Sequence, residues 1–193
     1  MVRRYFKNPI ISVKDVKPSR DDFEVIAVFN PGVARVGDET VLLLRVAEKP
    51  INDDSGKVIC PIYDADTGEI ITKSFDKNDK SYDFSDPRVI VTKDQNYLTS
   101  MSHLRVARSK DGYNFTVDEK PSMIASCRYE AFGVEDPRIT QIDDKYYITY
   151  TCVSDVGVIT CLATTENFRD FTRKGIILHP DNKDVTIFPE RIQ

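Results

Sequence analysis

An all-β fold arranged as a β-propeller is predicted by three features of the sequence: a recurring phrase, short β-branched and aromatic runs, and turn residues that bound them. The phrase is Asp86-Pro87-Arg88-Val89, repeated as Asp136-Pro137-Arg138-Ile139. The residues after each copy also match, Val91-Thr92-Lys93-Asp94-Gln95-Asn96-Tyr97-Leu98-Thr99 lying over Gln141-Ile142-Asp143-Asp144-Lys145-Tyr146-Tyr147-Ile148-Thr149. Asn30-Pro31-Gly32-Val33 takes the place of the phrase upstream, and Phe188-Pro189-Glu190-Arg191-Ile192 begins it again downstream. Pro31, Pro87, Pro137 and Pro189 stand 56, 50 and 52 residues apart. A four-stranded propeller blade takes roughly 40–50 residues.

Each unit reads as strands. Val41-Leu42-Leu43-Leu44-Arg45-Val46 and Tyr146-Tyr147-Ile148-Thr149-Tyr150-Thr151-Cys152 have strand composition, as do Val58–Tyr63 and Glu69–Thr72. Gly37-Asp38, Asp66-Thr67-Gly68, Lys110-Asp111-Gly112 and Asp143-Asp144 are the turns between them. Proline at the head of a strand is tolerated because its missing N–H lies outside the ladder. The units close alike, on Ser109-Lys110-Asp111-Gly112-Tyr113-Asn114-Phe115 and Thr165-Glu166-Asn167-Phe168-Arg169-Asp170-Phe171. No helical period is sustained, and Asn167–Phe171 is expected to form one helical turn.

With 193 residues, 40% of them hydrophobic and 30% charged, the chain is expected to be one soluble domain, residues 1–193. A formal charge of −4 gives no general attraction to nucleic acid or an anionic membrane. No apolar run approaches the roughly 20 residues of a membrane span, and Met1–Tyr5 lacks a signal-peptide core, so the expected location is cytoplasmic. Cys60, Cys127, Cys152 and Cys161 show no zinc spacing and read as buried thiols. The proline period allows three to four units before the chain stops, so the propeller is expected to be incomplete at its C-terminus.

Innermost strands line a propeller's channel, which would bring Asn30, Asp86 and Asp136 to one mouth with Arg45, Arg88 and Arg138 nearby. Such a ring suits a hydroxyl-rich or anionic ligand. For Asp86 and Arg88 the simpler reading is a salt bridge that braces the fold.

Phe29-Asn30-Pro31-Gly32-Val33-Ala34, Leu44-Arg45-Val46, Phe132-Gly133-Val134-Glu135-Asp136-Pro137-Arg138-Ile139, Pro180-Asp181-Asn182-Lys183-Asp184 and Ile187-Phe188-Pro189 together resemble glycoside hydrolase family 130, the mannoside phosphorylases. The resemblance runs from about Asn8 to the last residue and covers only the first part of a typical member. It implies a five-bladed propeller that cleaves β-mannosides or manno-oligosaccharides with inorganic phosphate, inverting, to give mannose 1-phosphate. It implies Asp136 as general acid, acting through the 3-hydroxyl of the mannosyl unit, and Asn30 and Arg45 as groups that hold that unit. Asp86 and Arg138 join them as expected substrate-binding residues. Lys183 falls at the basic position that binds phosphate. No cofactor or metal is expected beyond phosphate, and the expected protein partner is a second copy or a complementary C-terminal chain. Where some members carry an acidic residue two places after the Arg, this chain has Ala47, with Glu48 beside it.

The chemistry fits these residue types. An inverting hydrolase needs an acid and a base about 6.5–9.5 Å apart. A phosphorylase needs only the acid, together with cations that orient the anionic nucleophile. A β-mannosidase of the same fold and a silent glycan-binding chain are the alternatives.

Overall fold

The apolar run of the Val41 segment is continuous rather than alternating because both of its faces are covered. In the computed structural model, which describes residues 3–192, Val41 and Leu43 enter one core with Leu104, Val106, Val134 and Ile148. Leu42, Leu44 and Val46 enter another with Val16 and Ala107. Twelve strands are formed: β1 (Phe23–Val36), β2 (Glu39–Pro50), β3 (Lys57–Asp64), β4 (Glu69–Asp76), β5 (Val89–Val91), β6 (Asn96–Leu98), β7 (Met101–Ser109), β8 (Thr116–Val117), β9 (Gly133–Ile142), β10 (Lys145–Ser154), β11 (Gly157–Thr165) and β12 (Thr172–Leu178). The only helical segments among the described residues are two short 3-10 turns, Val13–Asp15 and Arg128–Glu130. The fold is all-β.

Strand order does not confirm the expected division into three to four units. Two four-stranded antiparallel arrays are present, β1-β2-β7-β8 and β9-β10-β11-β12. The Asp86 copy of the phrase opens neither. It precedes the β5–β6 hairpin, which with the β3–β4 hairpin forms two separate two-stranded sheets between β2 and β7. This insertion carries its own small core of Cys60, Phe75 and Ile90. The partner of β2 is instead β7, in unbroken register from Thr40 opposite Ser109 to Glu48 opposite Met101.

The repeat itself is real, but its members are β1–β2–β7 and β9–β10–β11. Its closing turns agree bond for bond. Gly112 N–H donates to Ser109 Oγ as Phe168 N–H donates to Thr165 Oγ1. Tyr113 and Asn114 N–H donate to Asp111 as Arg169 and Asp170 N–H donate to Asn167. A side-chain oxygen organises each corner, so the segment after Asn167 is a bend and not the expected helical turn.

One further expectation is corrected. Cys152 and Cys161 are joined by a disulfide across β10 and β11, where the register brings their Cα atoms to 6.4 Å. Of the other two cysteines, Cys60 is buried and Cys127 is exposed.

Candidate active site

Two equivalent bulges build the site. On β1, Phe29 opposes Arg45 and Gly32 opposes Leu43, so Asn30 and Pro31 together face one residue of β2. On β9, Glu135 opposes Thr151 and Arg138 opposes Thr149, so Asp136 and Pro137 do the same against β10. Proline fits a bulge because it has no N–H to give the ladder. Asp136 takes φ 48°, a left-handed conformation that aspartate tolerates and β-branched residues do not. Each bulge turns a side chain out of the strand's alternation, and the two meet.

Close approach of β1 and β9 depends on Gly32. A Cβ there would stand 2.8 Å from Ile139 Cγ1 and 3.1 Å from the Pro137 carbonyl. Gly133 does the same for β7 and β9. Its φ is 114°, and a Cβ would fall 2.6 Å from the Ser102 carbonyl oxygen and 2.7 Å from the Ser102 nitrogen. These residues form the parallel bridge that joins the two arrays.

The side chains form one hydrogen-bonded group. Asn30 Nδ2 donates to Asp136 Oδ1 at 2.9 Å, and Arg45 Nη1 donates to the same oxygen at 3.1 Å. Arg45 Nη2 donates to Glu135 Oε1 at 2.7 Å, and its Nε donates to Ser102 Oγ at 3.1 Å. Ser102 Oγ reaches Glu135 Oε1 at 3.4 Å. The Phe29 ring lies 4.8 Å from the Arg45 guanidinium carbon, a cation–π stack that covers one face. Asp136 Oδ2 receives no hydrogen bond among the described residues.

Burial pushes the Glu135 carboxyl above the ordinary glutamate range. Arg45 opposes that shift, the charge of Asp136 adds to it, and Ser102 and then Lys183 pull it back.

Of the six residues predicted from sequence, Asn30, Arg45 and Asp136 come together. Lys183 is exposed, near enough to Glu135 to favour its charged form. Arg138 bonds elsewhere than to Asp136, its Nη2 donating to Asp184 Oδ1 at 2.8 Å. That contact ties down the segment that carries Lys183. Asp86 is not part of the group. Its carboxylate accepts from Arg88 Nε, Nη2 and backbone N–H, within its own turn, and these bonds hold its pKa down at about 2.

Glu135, Ser102 and Phe29 belong to the site and were not assigned to it from sequence. Glu135 directly precedes Asp136 and Phe29 directly precedes Asn30, so both were within reach of the motif; no pattern marks Ser102. Glu48, close to Arg45 in sequence, serves elsewhere. It is buried with His103 at 3.1 Å and accepts from the Ser19 backbone N–H at 2.8 Å. A cavity of about 360 Å³ behind Phe132, lined by Tyr63, Lys73, Arg128 and Asp155 among others, holds none of the six predicted residues.

A carboxyl braced on one oxygen and open on the other, beside a shared guanidinium, has the geometry to give or take a proton. The chain belongs to glycoside hydrolase family 130: residues 95–192 match the family described as beta-1,4-mannooligosaccharide phosphorylase. It is 48% identical over 195 residues to the beta-1,2-mannobiose phosphorylase of Listeria innocua, a match that takes in 99% of this chain and 55% of that protein. The fold superposes with a TM-score of 0.91 on a solved structure of beta-1,2-mannobiose phosphorylase from Listeria innocua in complex with beta-1,2-mannobiose, over 98% of this chain and 55% of that one. A 1,2-beta-oligomannan phosphorylase of Thermoanaerobacter is 45% identical over 99 residues, 50% of this chain and 33% of that protein. The chain thus spans about half the length of the Listeria relative it matches.

Proposed function

We propose that this chain is the acid-bearing part of an inverting β-mannoside phosphorylase. Its two four-stranded arrays are then neighbouring blades of a five-bladed propeller whose remaining blades lie outside the chain. The names of its relatives support β-1,2-mannobiose as the substrate. Inorganic phosphate is the co-substrate, no other cofactor is required, and mannose 1-phosphate is the product.

The observation that carries this reading is the unequal treatment of the two oxygens of Asp136. Oδ1 accepts from Asn30 and Arg45, two donors, and therefore cannot also hold a proton towards them. The proton sits on Oδ2. It passes to the glycosidic oxygen through the 3-hydroxyl of the mannosyl unit while a phosphate oxygen bonds to the anomeric carbon from the opposite face. The glycosidic C–O bond breaks, and the leaving sugar departs with the proton. The carboxylate that remains is stabilised by the donors already aimed at it, without reorganisation. Lys183 holds the phosphate, and Arg138, through Asp184, holds the Lys183 segment in place. Asp86 acts in its own turn rather than on the sugar.

The test is to incubate the full-length protein, remaining blades included, with β-1,2-mannobiose, with and without inorganic phosphate, and to follow mannose 1-phosphate. Phosphate-dependent release supports the proposal. Phosphate-independent loss of disaccharide would make the chain a β-mannosidase. Binding of the disaccharide without turnover would leave it a glycan-binding chain, and neither binding nor turnover would refute the reading altogether.

A further inference from the structure

We propose that Glu135 is a positioning residue that splits the Arg45 guanidinium between two carboxyl groups and so keeps Asp136 Oδ2 free to carry its proton. This inference rests on Asp136 being the general acid.

Arginine and a carboxylate tend to pair through two parallel bonds, one to each oxygen. Arg45 and Asp136 are close enough to do so, with Nη1 at 3.1 Å from Oδ1. They do not. Nη2 is drawn instead to Glu135 Oε1 at 2.7 Å, the shorter of the two ion pairs. Ser102 holds Nε on the third side, and Phe29 covers a face, so the guanidinium has little freedom to rotate. Side-chain exposure is 22% for Arg45, 18% for Glu135 and 15% for Asp136, which keeps these bonds largely sheltered from water.

Without Glu135, Nη2 loses its strongest acceptor. The other oxygen of Asp136, which accepts no hydrogen bond among the described residues and shares its carboxylate with the oxygen Nη1 already bonds, is then free to take it. A guanidinium closed over both oxygens would hold Asp136 as a carboxylate and occupy the position from which the proton leaves. Glu135 therefore acts through Arg45 and need not touch the substrate. The groups that face Glu135 come from three other directions: Arg45 on β2, Ser102 on β7 and Lys183 beyond β12. Asp136, its own neighbour on β9, supplies the like charge.

Two variants separate this role from a structural one. E135A removes the competing acceptor, whereas E135Q keeps an amide oxygen where Oε1 stands. In a crystal structure of E135A, Arg45 Nη2 is expected to move within hydrogen-bond distance of Asp136 Oδ2; in E135Q it is expected to stay on residue 135. In phosphorolysis of β-1,2-mannobiose, E135A is expected to lose about tenfold or more in kcat with KM nearly unchanged, the scale of one charge-assisted hydrogen bond. E135Q is expected to recover most of that loss. If Arg45 keeps its place in E135A, or if KM rises while kcat holds, the proposal is overturned. The crystal structures decide it even where the wild-type chain shows no turnover, an outcome that would count against the proposed function alone. Should E135A not fold, a kcat or an Arg45 position in E135Q that matches neither expectation overturns the proposal equally.

Discussion

Replacing Gly133 by alanine should break the join between the two arrays, and its cost can be worked from the backbone. Two penalties combine. At φ 114° an L-residue sits outside even the left-handed helical well, which costs at least the ~1–2 kcal/mol of that well. The new Cβ would also lie 2.6 and 2.7 Å from Ser102 backbone atoms, which cannot swing aside as a side-chain tip can. Overpacking of this kind costs about 1–3 kcal/mol. The expected loss is about 2–5 kcal/mol, a large part of the ~5–15 kcal/mol that holds most folded domains together. Gly112→Ala is the control. It has φ 75° with nothing within 4 Å, so only the backbone penalty of about 1 kcal/mol applies. Urea unfolding followed by far-UV circular dichroism reads both. With slopes of about 1–3 kcal/mol per molar, the midpoint of G133A should fall by about 1 M or more beyond that of G112A. Equal losses in the two variants would show that the Ser102 contact is not tight, and with it that β9 is not held closely against β7.

Asp136→Asn is expected to lower phosphorolysis by two or more orders of magnitude while the melting temperature holds; near-normal turnover would remove Asp136 from the acid's role. Asp86→Ala should leave the KM for β-1,2-mannobiose unchanged, because every hydrogen bond of its carboxylate goes to Arg88; a several-fold rise would restore it to the pocket. The raised pKa of Glu135 has a signed consequence for stability. A carboxyl that holds its proton more tightly when folded favours the fold below its unfolded value of ~4.3, and loses that contribution as pH rises through the folded value. E135Q, which cannot ionise, should therefore gain in stability relative to wild type as pH rises from about 4 towards neutrality. Urea midpoints of the two proteins measured across that range would contradict the assignment if their difference stayed flat or ran the other way.

Strands and corners were legible in the sequence because their causes are local. The Val41–Val46 and Tyr146–Cys152 runs became β2 and β10, and Ser109/Asp111 and Thr165/Asn167 became equivalent turns, since each corner is made by a side chain bonding a backbone two or three residues away. Pairing was not legible. Asp86-Pro87-Arg88 has the same letters as Asp136-Pro137-Arg138, yet Asp86 spends its carboxylate on Arg88 whereas Arg138 reaches 46 residues on to Asp184. Nothing inside a four-residue phrase says which partner an arginine will find. The equivalence of Asn30 with Asp136 was read from the phrase, but the insertion between β2 and β7, about as long as a repeat and carrying its own copy, put Asp86 between them as a further member. The disulfide was missed for the same reason: Cys152 and Cys161 become neighbours only once the β10–β11 register is known.

That equivalence explains how one repeated device yields an asymmetric site. Each array places a bulge of Asn/Asp followed by proline on its first strand, and each bulge turns its polar side chain out of line. Two aspartates so placed would repel, and would hold one proton between them. The chain has an amide at one bulge and an acid at the other, so the first can donate to the second at 2.9 Å. The donor fixes which oxygen of the acid is occupied, and Arg45, reaching across from β2, reinforces the choice. What distinguishes Asp136 from Asp86 is therefore not the phrase around it but the asparagine that stands in the matching bulge of the other array.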